Sequence, residues 1–401
     1  MLPIPRLYQS WLQTGLNKHR QMLFVSGPRQ AGKTLLCREL GGCYLNWDVE
    51  ADRALLLGPQ PAVAEAAGFK AGRLKGPWPL LVLDEMDKRS RWKAWLKGFF
   101  DAYEAQGRIV VTGSARLDLY QKGGDSLMGR YLLYRLHPLS AGELLDPDPR
   151  RELLRPPAPI ASKVWRPLWE HGGFPEPYSK ADAAFTRQWR GLRRQQLLRE
   201  DIRDLTRITE TAQLEKLLLI LEERSGQAIT LSDLSRDLGV SVVTVGRWLE
   251  VLASFHVGFL LRPWQKSVAN SLRKEPKWFL RDWSGVQDPG ARAETAVACH
   301  LLKAVEGWTD QGLGDFALAY LRDKGQREVD FVVLKDRKPW FLVEVKRSET
   351  KLSPALAHFQ RQIKAPHAFQ VVWDLPYEPV DPFTRHDPVV VPAQTLLGML
   401  L

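Results

Sequence analysis

Between Arg20 and about Leu144, short unbroken apolar runs alternate with amphipathic stretches. Residues 22–25, 43–47, 80–83 and 109–111 predict strands. The first, third and fourth runs are apolar throughout, as in parallel strands covered on both faces. The middle of the chain changes period. Residues 185–207 set Arg187, Arg190, Arg193, Arg194, Arg199, Arg203 and Arg207 on a helical pattern, and a second helix is expected over 210–224. Then come a helix over 230–238, the turn Gly239-Val240-Ser241, a helix over 242–253 and an apolar run over 255–261 suited to a β-wing. That order outlines a winged helix-turn-helix. From about Arg292 the pattern reads helix (292–305), paired strands (328–334 and 340–346, with the turn 335–339), helix (354–364) and strand (368–373). The Pro- and Arg-rich residues 146–159 read as a linker or exposed loop. The expected fold class is α/β, in three parts: a parallel-sheet domain over 1–150, a helical and winged region over 151–265, and a smaller α/β domain over 266–401.

Composition changes this picture little and charge changes it more. At 401 residues, 44% hydrophobic and 26% charged, the chain suits a globular protein of two or three domains. No run approaches the roughly 18 apolar residues of a membrane span, and the first residues lack the marks of a secretory signal. Cys37, Cys43 and Cys299 are odd in number and form no C-x-x-C pair, which fits a reducing cytoplasm. These features predict a cytoplasmic protein without a membrane partner. Lys and Arg exceed Asp and Glu by 57 to 46, a net charge of +11, which favours a polyanionic partner such as DNA.

The candidate chemistry begins at Gly27-Pro28-Arg29-Gln30-Ala31-Gly32-Lys33-Thr34, followed by Leu35. This is the phosphate-binding pattern G-x-x-x-x-G-K-[ST], set between a predicted strand and a predicted helix. Such a loop aims backbone N–H groups and a helix N-terminus at one phosphate. Lys33 would reach the β/γ-phosphates of ATP and Thr34 would hold Mg²⁺. The strand 80–83 ends in Asp84-Glu85. There Asp84 would hold Mg²⁺ through water and Glu85 would polarise the attacking water. The next strand ends in Thr112-Gly113-Ser114, and either Thr112 or Ser114 is a candidate sensor of the γ-phosphate. Gly129-Arg130 supplies a candidate arginine finger, in cis or from a neighbouring subunit, with Arg29 as the alternative.

The last third carries a second constellation. Strand alternation puts Asp330 opposite Val329 and Phe331, and sets Glu344 and Lys346 together opposite valines. If the two strands pair, Asp330 and Glu344 converge as hard oxygen ligands for Mg²⁺ or Mn²⁺, with Lys346 beside them to orient a water and Glu294 to complete the site. Alternating charge on an exposed strand is the competing reading. The helix-turn-helix carries Arg247 but few other cations where base readout would want donors. The basic helix before it also bears Glu200, Asp201 and Asp204. Tryptophans such as Trp92, Trp95, Trp165 and Trp169 read as packing anchors.

Taken in order, Gly27–Thr34, Asp84-Glu85, Thr112-Gly113-Ser114, Gly129-Arg130 and the run Leu136-His137-Pro138-Leu139-Ser140-Ala141-Gly142-Glu143 resemble a widespread group of prokaryotic AAA+-type P-loop ATPases. In that group a C-terminal domain of poorly known function follows the ATPase. Gly172-Gly173-Phe174-Pro175-Glu176, Trp278-Phe279-Leu280-Arg281-Asp282, Glu294, Glu328-Val329-Asp330-Phe331 and Glu344-Val345-Lys346 extend the resemblance over nearly the whole chain. It implies an AAA+-like core, a winged-helix middle and a restriction-endonuclease-like C-terminal domain. In that domain Glu294, Asp330 and Glu344 would bind metal and, with Lys346, cleave phosphodiesters. The chain departs from the group at Ala293-Glu294-Thr295 and after Phe279. The expected activity is ATP hydrolysis acting on DNA, and a nucleotide-dependent switch that binds a protein partner is the rival. A homo-oligomeric ring is compatible with this ATPase class.

Overall fold

A computed structural model of the protein describes residues 4–70, 76–113, 127–147, 152–202, 210–265 and 275–401. The chain forms two compact units: Leu2–Pro138 with Pro147–Pro149, and Leu139–Asp146 with Arg150–Leu401. Among the described residues no helix is long and apolar enough to cross a membrane.

The first unit runs α1 (Leu7–Lys18), β1 (Met22–Ser26), α2 (Lys33–Glu39), β2 (Cys43–Asn46), α3 (Glu50–Leu57), α4 (Gln60–Ala66), β3 (Leu80–Asp84), α5 (Trp92–Tyr103), β4 (Arg108–Thr112) and β5 (Tyr131–Arg135). Its five strands are all parallel, in the order β2-β3-β4-β1-β5. Every residue of β1 is buried, as are all but the first of β3 and β4, which explains their unbroken apolar runs. Helix α5 repeats apolar residues at 92, 95, 96, 99 and 100 and lays them on Phe24, Leu83 and Val111. The edge strand β5 was not anticipated. It is mostly half-buried, and its YLLYR pattern carries neither the apolar continuity nor the alternation of its neighbours.

In the second unit come α6 (Ala141–Leu145), α7 (Ser162–His171), α8 (Pro175–Lys180) and α9 (Ala183–Gln196), which runs on into a π-helical turn over Leu197–Ile202. Helices α10 (Thr211–Glu223), α11 (Leu231–Leu238) and α12 (Val242–Ser254) follow, then β6 (Gly258–Leu261) and β7 (Lys277–Leu280). The remainder is α13 (Pro289–Asp310), β8 (Phe316–Arg322), β9 (Glu328–Lys335), β10 (Lys338–Lys346), α14 (Pro354–Ile363), β11 (His367–Val372), β12 (Val389–Pro392) and α15 (Ala393–Met399). Strands β12-β11-β10-β9-β8 form a mixed sheet, parallel from β10 to β12 and antiparallel from β8 to β10.

Gly239 closes α11 in the left-handed region, and Ser241 caps α12 by accepting the Thr244 N–H at 3.1 Å. Strand β6 pairs antiparallel with β7, so the hairpin after the helix-turn-helix reaches past residue 265, into the stretch the sequence assigned to the third part. Helix α6 is tied to the second unit at several points. The Ser140 hydroxyl donates to Leu401 O (2.6 Å), the Ala141 N–H donates to His300 Nε2 (3.0 Å), and Lys303 pairs with Glu143 at 2.5 Å.

The motif residues of the middle region prove to be packing devices. Gly172 has φ +78°, and a Cβ there would meet Asp282 Oδ1 at 2.6 Å. Asp282 in turn accepts the N–H and hydroxyl of Ser284, while the Trp283 indole donates to Leu168 O at 2.8 Å. Part of the basic face of α9 is likewise turned inward. Arg190 donates to Ser284 O, Arg193 lies 4.2 Å over the Phe174 ring, and Arg194 pairs with Glu222 at 3.2 Å. Arg187 is exposed, whereas Arg203 and Arg207 lie outside the described residues. Trp92, Trp95 and Trp165 are buried, and Trp165 and Trp169 both pack on Trp373.

Candidate functional site

The parallel register brings the carboxyl ends of β1, β3 and β4 to one edge of the first unit's sheet, the usual ligand edge of an open α/β fold. The phosphate-binding loop leaves β1 there. Gly27 has φ +150°, and a Cβ on it would lie 2.2 Å from Leu136 O, so only glycine fits. Gly32, at φ +100°, precedes the first residue of α2. Arg6 braces the loop with hydrogen bonds to Ala31 O and His137 O, both 2.6 Å. Pro28 and Ala31 are buried, Arg29 is half-buried, and Gln30 and Leu35 are exposed. Lys33 is buried and donates to Gly27 O (2.8 Å) and Pro28 O (3.0 Å). Burial lowers its pKa, opposed by the charges of Glu85 and Asp84.

Asp84 ends β3 at the centre of the site. Its Oδ2 accepts the Thr34 hydroxyl at 3.0 Å and the Tyr44 phenol, and its Oδ1 accepts the Thr112 hydroxyl and the Glu85 N–H at 3.1 Å. The Tyr44 pKa is pushed up to about 12 by burial and by its bond to Asp84, so the phenol stays a neutral donor. Glu85 has φ 55°, and its carboxylate lies 3.2 Å from Lys88 Nζ, which also pairs with Asp48 at 2.6 Å. The Thr34 hydroxyl and Asp84 carboxylate are hard oxygen donors that fit Mg²⁺, and the loop with Lys33 fits a nucleotide's phosphates.

Thr112 is an Asp84 partner within this arrangement, while Ser114 lies outside the described residues. Arg130 precedes β5 at the opposite edge of the sheet, where its carbonyl accepts the Met22 N–H, and its guanidinium pairs with Asp101 at 2.7 and 2.9 Å. The phosphate loop begins at the other end of β1, roughly 16 Å away at strand rise. Arg130 therefore cannot act in cis on its own site.

The second unit does gather Glu294, Asp330, Glu344 and Lys346. The Val345 N–H donates to Asp330 Oδ2 at 2.8 Å, and Lys346 pairs with Glu344 at 2.9 Å. At their centre, however, lies Lys277. Its ammonium is 3.1 Å from Glu294, 2.6 Å from Glu328 and 3.6 Å from Asp330. Burial works against the lysine's charge, but the three carboxylates outweigh it and hold its pKa above the ordinary value. Burial pushes Glu294 up to about 8 and Glu344 up to about 7, and raises Asp330 as well.

The expected Mg²⁺ or Mn²⁺ site does not fit this arrangement. An ammonium stands among the carboxylates, and among the described residues no group of three or more His, Cys, Asp or Glu is disposed to hold a metal. Lys277 directly precedes the quoted 278–282 motif, and nothing in its local spacing signals its role. Tyr44, Lys88 and Arg6 were missed for the same reason: each acts across elements.

Residues 19–145 match the sequence profile of an AAA domain, residues 162–286 a Domain of unknown function (DUF8612), and residues 289–380 a Domain of unknown function (DUF4143). The Uncharacterized protein Rv2008c of Mycobacterium tuberculosis (strain ATCC 25618 / H37Rv) is 25% identical over 343 residues, covering 82% of this chain and 71% of its own length. The Uncharacterized protein Mb2031c of Mycobacterium bovis (strain ATCC BAA-935 / AF2122/97) matches to the same extent. Among solved structures, AMPPCP-bound DnaA from Aquifex aeolicus aligns over 63% of this chain and 89% of that chain, at 12% identity and a TM-score of 0.31. Cdc6p from Pyrobaculum aerophilum aligns over 67% and 89%, at 13% identity and a TM-score of 0.27. Residues 19–145 thus match an AAA domain by profile, and their phosphate loop and acidic strand end have the geometry that supports ATPase activity in general.

Proposed function

We propose that this protein hydrolyses ATP and couples turnover to engagement of DNA. The observation that carries the ATPase part is the convergence of Lys33, Thr34, Asp84 and Glu85 at one sheet edge. On ATP binding, Lys33 exchanges the Gly27 and Pro28 carbonyls for phosphate oxygens. Thr34, and Asp84 through water, would hold Mg²⁺, and the bound ion would supply neutralisation of the phosphate charge. Tyr44 and Thr112 keep the Asp84 carboxylate oriented, and Glu85 accepts the proton of the attacking water. Lys88 holds Glu85 in place through their ion pair.

The DNA part rests on the helix-turn-helix α11–α12 with its β6–β7 hairpin, read as a winged helix, and on the net charge of +11. One observation favours the rival, a nucleotide-dependent switch that binds a protein. Val243 is 82% exposed and Val242 is 45% exposed at the start of α12, while Arg247 is that helix's one cation. The Lys277 ammonium among the carboxylates argues against metal-dependent strand cleavage.

Steady-state ATPase with Mg²⁺ tests both readings, using single-stranded, duplex and branched DNA. Glu85→Gln is expected to lower turnover at least about a hundredfold while ATP binding persists. Stimulation by one DNA form, absent in that variant, supports DNA coupling. Flat activity with every DNA, alongside Glu85-dependent turnover, moves the assignment to the protein switch.

A further inference from the structure

We infer that Lys277 is a built-in cation that takes the place of a divalent metal in the C-terminal acidic cluster. The inference goes beyond the ATPase reading and does not depend on it. Four carboxylates from three elements gather here: Glu294 from α13, Glu328 and Asp330 from β9, and Glu344 from β10. The three N–H donors of the Lys277 ammonium face oxygens of Glu328 at 2.6 Å, Glu294 at 3.1 Å and Asp330 at 3.6 Å.

The lysine's position is fixed by backbone as well as charge. Lys277 opens β7, pairs with Leu261 of β6 and bridges to Ala228. Its side chain is only 5% exposed, and the Tyr320 ring lies 5.6 Å from Nζ. A Cβ at Gly226 would lie 3.2 Å from Glu294 Oε2, so the backbone closes against that carboxylate. The remaining groups are partly engaged: Asp330 Oδ2 accepts the Val345 N–H and Glu344 Oε1 pairs with Lys346, while Glu344 Oε2 is buried without a hydrogen-bond partner.

A divalent cation needs several oxygens at about 2.0–2.6 Å. Placed among Glu294, Glu328 and Asp330, it would sit against the ammonium, and the two like charges would repel strongly in so buried a space. Lysine and metal therefore exclude one another. The sheet keeps the ligand types of a metal site, and Lys277 holds it closed.

The test is a Mn²⁺ titration of the full-length protein without nucleotide, followed by the electron paramagnetic resonance signal of free Mn²⁺. Wild type, Asp330→Asn, Lys277→Gln and the double variant Lys277→Gln/Asp330→Asn are compared, so that any Mn²⁺ held at the phosphate loop is common to all four. The expected result is no Asp330-dependent Mn²⁺ in wild type. Lys277→Gln should gain one Mn²⁺ per chain, at least tenfold tighter than any such binding in wild type, and the double variant should lose it. Asp330-dependent Mn²⁺ in wild type overturns the inference, and so does a folded Lys277→Gln that gains none. If Lys277→Gln fails to fold, Lys277→Arg keeps the charge. Together with the wild-type and Asp330→Asn pair it still decides, because the arginine variant must then also show no Asp330-dependent Mn²⁺.

Discussion

Asp84 accepts four hydrogen bonds from residues on β2, β4 and α2 and from its own neighbour. Bonds to a charged acceptor contribute about 1.5–3 kcal/mol each, and Thr112 is fully buried. Thr112→Val should therefore lower the urea-unfolding free energy by about that amount and reduce turnover. Tyr44→Phe should act in the same direction, and less strongly on stability because Tyr44 is only half-buried. At the acidic cluster, Glu294 has a folded-state pKa of about 8 against an ordinary 4.5. The folded protein then holds a proton that the unfolded chain releases. The stabilisation is complete below the unfolded value and is lost as pH rises towards 8. Denaturant titrations between pH 5 and 8 should show wild type losing stability relative to Glu294→Gln, by at most about 1.4 kcal/mol per pH unit. Equal slopes would remove this residue from the pH response.

At the level of elements, the β9–β10 hairpin turns on Asp336 and Arg337, at φ 50° and 64°. A side chain such as arginine holds that conformation at a cost, and glycine does not. Arg337→Gly should raise the unfolding free energy by about 0.5–1 kcal/mol, measured by denaturant melts, with the ATPase rate unchanged. This hairpin was legible in the sequence because a short polar turn separates two runs of strand alternation. The phosphate loop and the strand ending Asp84-Glu85 were legible because their chemistry is local. Strand β8 was not: its FALAYLR alternates alanines with larger residues and sets no strong period. The acidic cluster was half legible. Alternation put Asp330 and Glu344 near one another, but the ammonium among them comes from a different strand, and no pattern along one strand reports that.

Across the whole molecule, the charge excess points to salt-sensitive binding if DNA is the partner. Affinity should fall steeply between 50 and 200 mM salt as phosphate contacts release counterions, and a salt-independent signal would point to a protein surface instead. Inside the second unit, Lys303 and Glu143 are 2% and 0% exposed. Replacing Lys303 by methionine leaves a buried charge behind and should cost about 3 kcal/mol of stability, with Glu143→Gln/Lys303→Met partly restoring it in thermal melts.

The AAA profile ends at residue 145, yet the compact unit that holds the phosphate loop gives way to the next at Leu139. Anyone trimming the gene at the profile's edge would cut α6 from the partners that hold Ser140, Ala141 and Glu143. The shorter product would carry a stray apolar turn, and the longer one would lack the cover for His300, Lys303 and the Leu401 carbonyl. Severing two residues after Leu136, at the Pro138–Leu139 bond, follows the boundary between the two units and keeps α6 with its partners. That bond is where soluble halves should be sought.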